Sequence, residues 1–142
     1  MCCAFSDEIR DGLKGHVFTP SEKGFISGKH DLAESVRFGI VGGVFHPQIS
    51  YDKVNYTKAP WALEPNQTVV YASCHDNHTL WDRLEIANPT VSVQDRTSMQ
   101  KLAIGIVLTS QGISSLHGPH QVAQKLSTTT RPFSAALVQR WP

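Results

Sequence analysis

Val69-Val-Tyr-Ala-Ser-Cys-His-Asp-Asn-His-Thr-Leu-Trp-Asp-Arg83 is the stretch whose reading decides the fold. Residues 68–73 are rich in the β-branched, aromatic and small side chains that suit a pleated, buried strand. The run then breaks into His75, Asp76 and Asn77, which place a proton-transfer group, a carboxylate and an amide where the strand should stop. A buried strand that ends in ionisable side chains is the pattern of a strand carrying an active site on its C-terminal end.

Upstream, residues 2–5 are short and apolar and read as another strand, followed by a polar loop over 5–15. Asp7, Glu8, Arg10 and Asp11 fall directly after that strand end, where parallel α/β enzymes place substrate contacts; the same residues also suit a solvated turn with Arg10 paired to its own carboxylates. From Asp31 a helix is signalled: Asp31 stands at the cap, Glu34 at the capping-box position, Leu32, Val36 and Ile40 recur every four residues, and Gly42-Gly43 closes it. Pro47, Pro60 and Pro65 mark residues 45–67 as a long surface connection. Downstream of the strand come a short turn of helix near residues 79–84 and then a longer helix. Ser92 caps that helix with Asp95 three residues on, Met99, Leu102, Ala103 and Ile106 line one face, and Gly112 follows its end. Residues 113–116 read as a third strand.

Composition narrows the class. Hydrophobic residues make up 40% and charged residues 18%, and 13 basic against 12 acidic residues leave a formal charge of +1. That is a globular chain with no expected nucleic-acid or membrane-surface partner. No stretch approaches the roughly 20 apolar residues of a transmembrane helix, and Met1-Cys-Cys-Ala-Phe5 has no basic n-region. A cytoplasmic location is the default expectation, although a longer parent protein is compatible with secretion. Adjacent Cys2 and Cys3 with Cys74 do not make a disulfide framework. The same cysteines with His75 and His78 have poor spacing for zinc, because neighbouring ligands on a strand point to opposite faces. No cofactor is expected. Asn55-Tyr-Thr57, Asn66-Gln-Thr68 and Asn77-His-Thr79 match the N-glycosylation acceptor pattern, which is common by chance.

The strand of the form Tyr-x-Ser-x-His-Asp-Asn-x-Thr-Leu-x-Asp, read here from Tyr71 to Asp82, resembles the seventh barrel strand of type I pullulanases, starch-debranching members of the α-amylase superfamily of glycoside hydrolases. Phe5-Ser-Asp-Glu-Ile-Arg-Asp-Gly-Leu-Lys-Gly15 resembles their sixth-strand loop. Val54-Asn-Tyr-Thr-Lys-Ala-Pro-Trp61 resembles the approach to the seventh strand, and Ala103-Ile-Gly-Ile-Val-Leu-Thr-Ser-Gln-Gly-Ile113 the helix entering the eighth. The resemblance implies an α/β fold, an incomplete (β/α)8 TIM barrel with strands six to eight and their helices over residues 1–117. A complete barrel takes about 250 residues, against 142 here. It also implies that Asp76 is the transition-state-stabilising aspartate, that His75 hydrogen-bonds the same sugar, and that Asn77, Asp7, Arg10 and Asp11 border the cleft. Trp61 is a candidate sugar-stacking face, with Tyr71 and Trp81 assigned to packing.

In that family the nucleophilic aspartate and the general-acid glutamate lie on strands four and five, upstream of the motif at Phe5. Retaining hydrolysis needs both. The expectation is therefore a fragment of an enzyme that cleaves α-1,6 linkages in pullulan, starch or glycogen, partnered by α-glucan and by an N-terminal half of the barrel, and inactive alone. Two other readings stay open: a non-catalytic carbohydrate-binding or inert remnant, and a small self-contained hydrolase using Asp7 or Glu8 with Asp76.

Residues 118–142 change character. They hold Lys125, Arg131 and Arg140 and no acid, so the tail carries +3 and residues 1–117, with the remaining 10 basic and 12 acidic residues, carry −2. The tail departs from the pullulanase pattern, as an out-of-frame or spliced end would. Phe133, Leu137 and Trp141 do recur at four-residue spacing, enough for a short amphipathic helix after Pro132. A segment not selected to pack on the third strand should be cut first. Limited proteolysis is expected to cleave between residues 118 and 132, and deletion of everything after His117 to leave the far-UV spectrum and melting of the remainder nearly unchanged. Loss of soluble protein on that deletion would show the tail to be integral.

Overall fold

The computed structural model describes residues 3–75 and 77–115. β1 (Ala4–Phe5), β2 (Thr68–Tyr71) and β3 (Ile113–Ser115) form one parallel sheet in that order. Phe5 stands opposite Val69, and Val69 opposite Ile113. Parallel neighbours need long crossovers. The first contains α1 (Asp7–Lys14) and α2 (Ala33–Ile40), and the second α3 (Leu80–Ala87) and α4 (Val93–Thr109). Short 3-10 turns at Phe25–Ser27, His30–Leu32, Tyr51–Lys53 and Pro65–Gln67 shape the connections. The α/β class read from the sequence is thus observed, as a small parallel sheet with helices. Among the described residues no helix is long and apolar enough to cross a membrane.

Strand alternation decides which face is covered. Val70 of β2 and Ala72 just after it are buried in one cluster with Ile9 and Leu13 of α1, Leu84 of α3 and Val107 of α4. All four helices therefore lie against the even-numbered face. α1 and α2 cross closely because Gly39 faces Ile9: a Cβ on Gly39 would stand 2.2 Å from that of Ile9. A second cluster, Phe38, Ile49 and Val54, extends the core under the long connection.

The loop expected over residues 5–15 is instead largely α1. Ile9 and Leu13, one turn apart and both fully buried, supply its apolar stripe. Asp7 and Glu8 complement the positive end of the helix, Lys14 the negative end, and Gly15 ends it at φ 88°. α2 begins later than expected. Asp31 does not cap it; residues 30–32 form a 3-10 turn, from which Ala33 N–H bonds His30 O. Glu34 bonds Arg37 (2.6 Å) and Ser50 N–H (3.0 Å) rather than closing a capping box. Gly42 and Gly43 do end this helix, both at positive φ. The turn expected at 79–84 is a full eight-residue helix, capped by Thr79, whose Oγ1 accepts from Asp82 N–H at 3.2 Å. Ser92 caps α4 as read, accepting from Asp95 N–H at 3.1 Å. Leu102 is half exposed, however, because the face that packs runs through Met99, Ala103, Ile106 and Val107. Cys2, Asp76, Leu116 and the tail 118–142 lie outside the described residues.

On the odd-numbered face Tyr71 is buried at the strand end, but Phe5 and Ile113 stay open. Phe5 and Ile113 flank Val69 and remain 60% and 47% exposed. An apolar sheet face with open edges favours association with a second copy. The chain is expected to self-associate in sedimentation at micromolar concentration, and Ile113→Lys to shift it toward monomer without changing its far-UV spectrum. A monomeric wild-type chain would show that the face is covered in solution.

Candidate functional site

The C-terminal ends of β1 and β2 carry a buried charged network. Ser6 N–H bonds Val69 O at 3.0 Å, so α1 starts beside β2 and its first turn meets Tyr71, the last residue of that strand. Arg10 is the hub. It donates to Asp7 Oδ1 (2.7 Å), Asp11 Oδ1 (2.6 Å) and the Tyr71 hydroxyl (2.9 Å), and that hydroxyl donates to Asp7 Oδ1 at 2.9 Å. Asp11 also accepts from the Tyr56 hydroxyl and, at 3.3 Å, from Val17 N–H. Glu8 accepts from Ser6 Oγ (3.0 Å) and Thr57 Oγ1 (2.6 Å).

Burial and charge act in opposition here. Burial by itself lowers the Arg10 pKa, but the hydrogen bond and charge of Asp11, with Tyr71 and Asp7, outweigh it and hold the guanidinium above its ordinary value. Burial raises the Tyr71 phenol, with Arg10 opposing and Asp7 adding to the rise. The Tyr56 phenol is likewise raised by burial and by its bond to Asp11. At neutral pH these are fixed donors to two carboxylates, an arrangement that orients charge rather than transfers protons.

Of the residues singled out from the sequence, Asp7, Arg10 and Asp11 come together in this network. Asp7 is about half exposed, whereas Arg10 and Asp11 are buried and serve to hold it. His75 is exposed just beyond the end of β2, and Asn77 contacts Cys74 Sγ at 3.6 Å. Asp76 lies outside the described residues. Trp61 does not join them. Its ring packs at Gly43, beside Thr68, at the start of β2. There it lines a shallow hollow with Val44, Phe45, Pro60, Leu63 and Pro65. Trp81 packs under the Arg96 guanidinium, 5.2 Å from the ring centroid. Among the described residues no three of His, Cys, Asp and Glu are grouped to hold a metal ion.

Sequence reasoning missed Tyr56, Thr57 and the hydroxyl of Tyr71. The Asp7–Arg10 spacing of three, one helical turn, was the available signal for the first pair. Nothing local announces that Tyr56 and Thr57 cross 45 and 49 positions to reach Asp11 and Glu8. Asn55, in one of the acceptor tripeptides, turns inward, its side chain donating to Glu8 O at 3.4 Å and its backbone N–H to Ser35 Oγ at 2.9 Å.

No family model matches the chain. Its relatives are pullulanases. The pullulanase of Bacillus subtilis (strain 168) is 34% identical over 113 residues, 80% of this chain and 14% of the relative. Among solved structures, the Paenibacillus barengoltzii pullulanase in complex with maltohexaose and α-cyclodextrin is 40% identical. It matches with a TM-score of 0.65 over 79% of this chain and 17% of its own. The type I pullulanase of B. subtilis complexed with maltose gives a TM-score of 0.68 at 34% identity, covering 80% of this chain and 15% of that one. The chain is thus homologous to a segment of type I pullulanases and spans about one seventh of the length of those enzymes.

Below the network, Lys14 is 2% exposed. Burial pushes its ammonium down to about 8, with Cys74 opposing and Arg10 and Arg83 adding to the fall. In the unfolded chain Lys14 keeps its ordinary pKa of 10.5. Below pH 8 the buried charge therefore disfavours the fold, and that penalty fades as pH rises, because the unfolded state then binds the extra proton. Tyr56, Tyr71 and the Lys29 ion pair act in the other direction, but only near and above pH 10. Stability is expected to increase by on the order of 2 kcal/mol between pH 8 and pH 10, measured by thermal melting. Lys14→Met should abolish the increase.

Proposed function

We propose that this chain is the C-terminal part of a pullulanase-type catalytic barrel, with β1, β2 and β3 as its sixth, seventh and eighth strands. The complete enzyme would cleave α-1,6 linkages in pullulan, starch or glycogen. The observation that carries the reading is the charged network at the C-terminal ends of two adjacent parallel strands, in a segment homologous to pullulanases. That end of a parallel α/β barrel is where catalytic groups gather. The solved relatives in complex with maltohexaose and with maltose support an α-glucan as the ligand class.

In this reading Asp76 binds sugar hydroxyls more strongly as the oxocarbenium-like transition state forms, with His75 and Asn77 beside it. Asp7 borders the cleft. Arg10, Asp11 and Tyr71 are positioning residues that fix Asp7 and the strand ends. The nucleophile and general acid come from strands outside the matched segment, so the 142 residues by themselves do not hydrolyse the substrate. A self-contained hydrolase is disfavoured by the bonds already made: Asp7 is shared by Arg10 and Tyr71, and Glu8 is held by Ser6 and Thr57.

Incubated with pullulan, the chain is expected to release no reducing sugar above a blank. When residues 5–113 replace the homologous segment of the B. subtilis pullulanase, hydrolysis should persist, and Asp76→Ala in that exchange should lower kcat by about 10²–10³-fold. A folded exchange without activity, or turnover by the chain alone that Asp76→Ala abolishes, would sink the reading.

A further inference from the structure

Trp61 and Phe45 line one hollow near the start of β2, with Val44, Pro60, Leu63 and Pro65 around them. Its volume is about 410 Å³, within the roughly 300–1,000 Å³ of small-ligand sites. The Arg10 network lies at the other end of the same strand, at Tyr71. Between Thr68 and Tyr71 the strand rises about 10 Å, so the hollow and the network are separate places.

Both rings are braced from behind. The Trp61 and Ala62 N–H groups donate to Gly43 O, at 3.2 and 3.1 Å. The indole lies so close to Gly43 that a Cβ there would stand 3.0 Å from its Cε2 and Cζ2. Phe45 stacks on Tyr51, with ring centroids 6.3 Å apart and planes at 15°, and Tyr51 meets Phe38 edge-on at 5.8 Å. The Tyr51 hydroxyl is fixed in turn by accepting from His46 N–H at 2.7 Å. Phe45 is nonetheless 69% exposed, and Leu63 beside it in the hollow 91%. A ring already held in place loses little freedom on binding. Its flat apolar face, open to water at the edges, suits the C–H face of a pyranose ring. Exposed Glu64 and Asn66 stand on either side of Pro65 in the chain and supply a carboxylate and an amide for sugar hydroxyls.

We propose that this hollow is a second α-glucan site, in which Trp61 and Phe45 offer stacking faces to glucosyl units of a maltooligosaccharide. The inference rests on the α-glucan reading given above and adds to it a site away from the cleft. Glucan held here is anchored to the protein without touching the reacting atoms.

Titration of the 142-residue chain with maltohexaose, followed by NMR, tests this. Saturable binding is expected with a Kd on the order of 1 mM, with intermolecular NOEs from sugar protons to the ring protons of Trp61 and Phe45. Those NOEs read the site in the wild-type chain, without relying on a variant that folds. Trp61→Ala should weaken binding about tenfold, Trp61→Phe should retain most of it, and Trp81→Phe, at the ring under Arg96, should leave it unchanged. Asp7→Asn separates the two readings. Binding kept in Asp7→Asn and weakened in Trp61→Ala supports the second site. The reverse pattern would put the glucan in the cleft, overturning this inference while the α-glucan reading stands. No saturable binding, or NOEs that avoid both rings, would also overturn it; hydrolysis by the segment exchange judges the α-glucan reading independently.

Discussion

β2 is the constraint on which the described structure depends. It is the strand with a neighbour on both sides, and its period of two assigns one set of side chains to the helices and the other to the open face. Val70 and Ala72 anchor the packing of all four helices, while Val69 lies between the exposed Phe5 and Ile113. Slipping the strand by one residue would bury Tyr71 among aliphatic side chains and strand its hydroxyl. As placed, that hydroxyl lies at the strand end, where Arg10 and Asp7 receive it. Core, open face and site are thus three results of one register.

Electrostatically, α1 has two unlike halves. Around Arg10 the charges are matched: one guanidinium meets two carboxylates and a phenol, and each carboxylate oxygen cited above has a donor. One turn further along α1, Lys14 is buried, and Arg83 reaches in from α3 with backbone carbonyls as its hydrogen-bond acceptors. Buried ion pairs contribute little net stability but specify geometry, and the matched half fits that role, since its members come from α1, β2 and the connection at residues 55–57. Burial of the Lys14 ammonium costs stability, which lowers its pKa. Both halves sit on a helix of eight residues, short enough that tertiary contacts rather than propensity hold it in place.

Much of this was legible in the sequence, and the exceptions have physical causes. β2, α4 with its Ser92 cap, and the glycine pair ending α2 follow from local rules about alternation, capping and positive φ. α1 was hidden because only Ile9 and Leu13 are apolar among residues dominated by charge, so its stripe is two residues wide and reads as polar loop. Asp31 failed as a cap because a 3-10 turn had already engaged the N–H that it would have served. Leu102 belongs to the helical period by composition but points away from the four-helix cluster, a matter of docking angle that no single helix encodes. The site was visible in its charged members and invisible in its long-range ones. Tyr56 and Thr57 act only because the connection folds back over α1.

This segment holds structure firmly around few free reactive groups. The carboxylates nearest the strand ends are consumed in orienting one another: Asp11 is 2% exposed and bonded by three donors, and Glu8 is 6% exposed and bonded by two. A group so bound is a poor nucleophile or acid, because its lone pairs are committed and its charge is already stabilised in the ground state. It is a good support. The Arg10 network locks Asp7 and the end of β2 in place. His75, just beyond that end, is exposed to solvent.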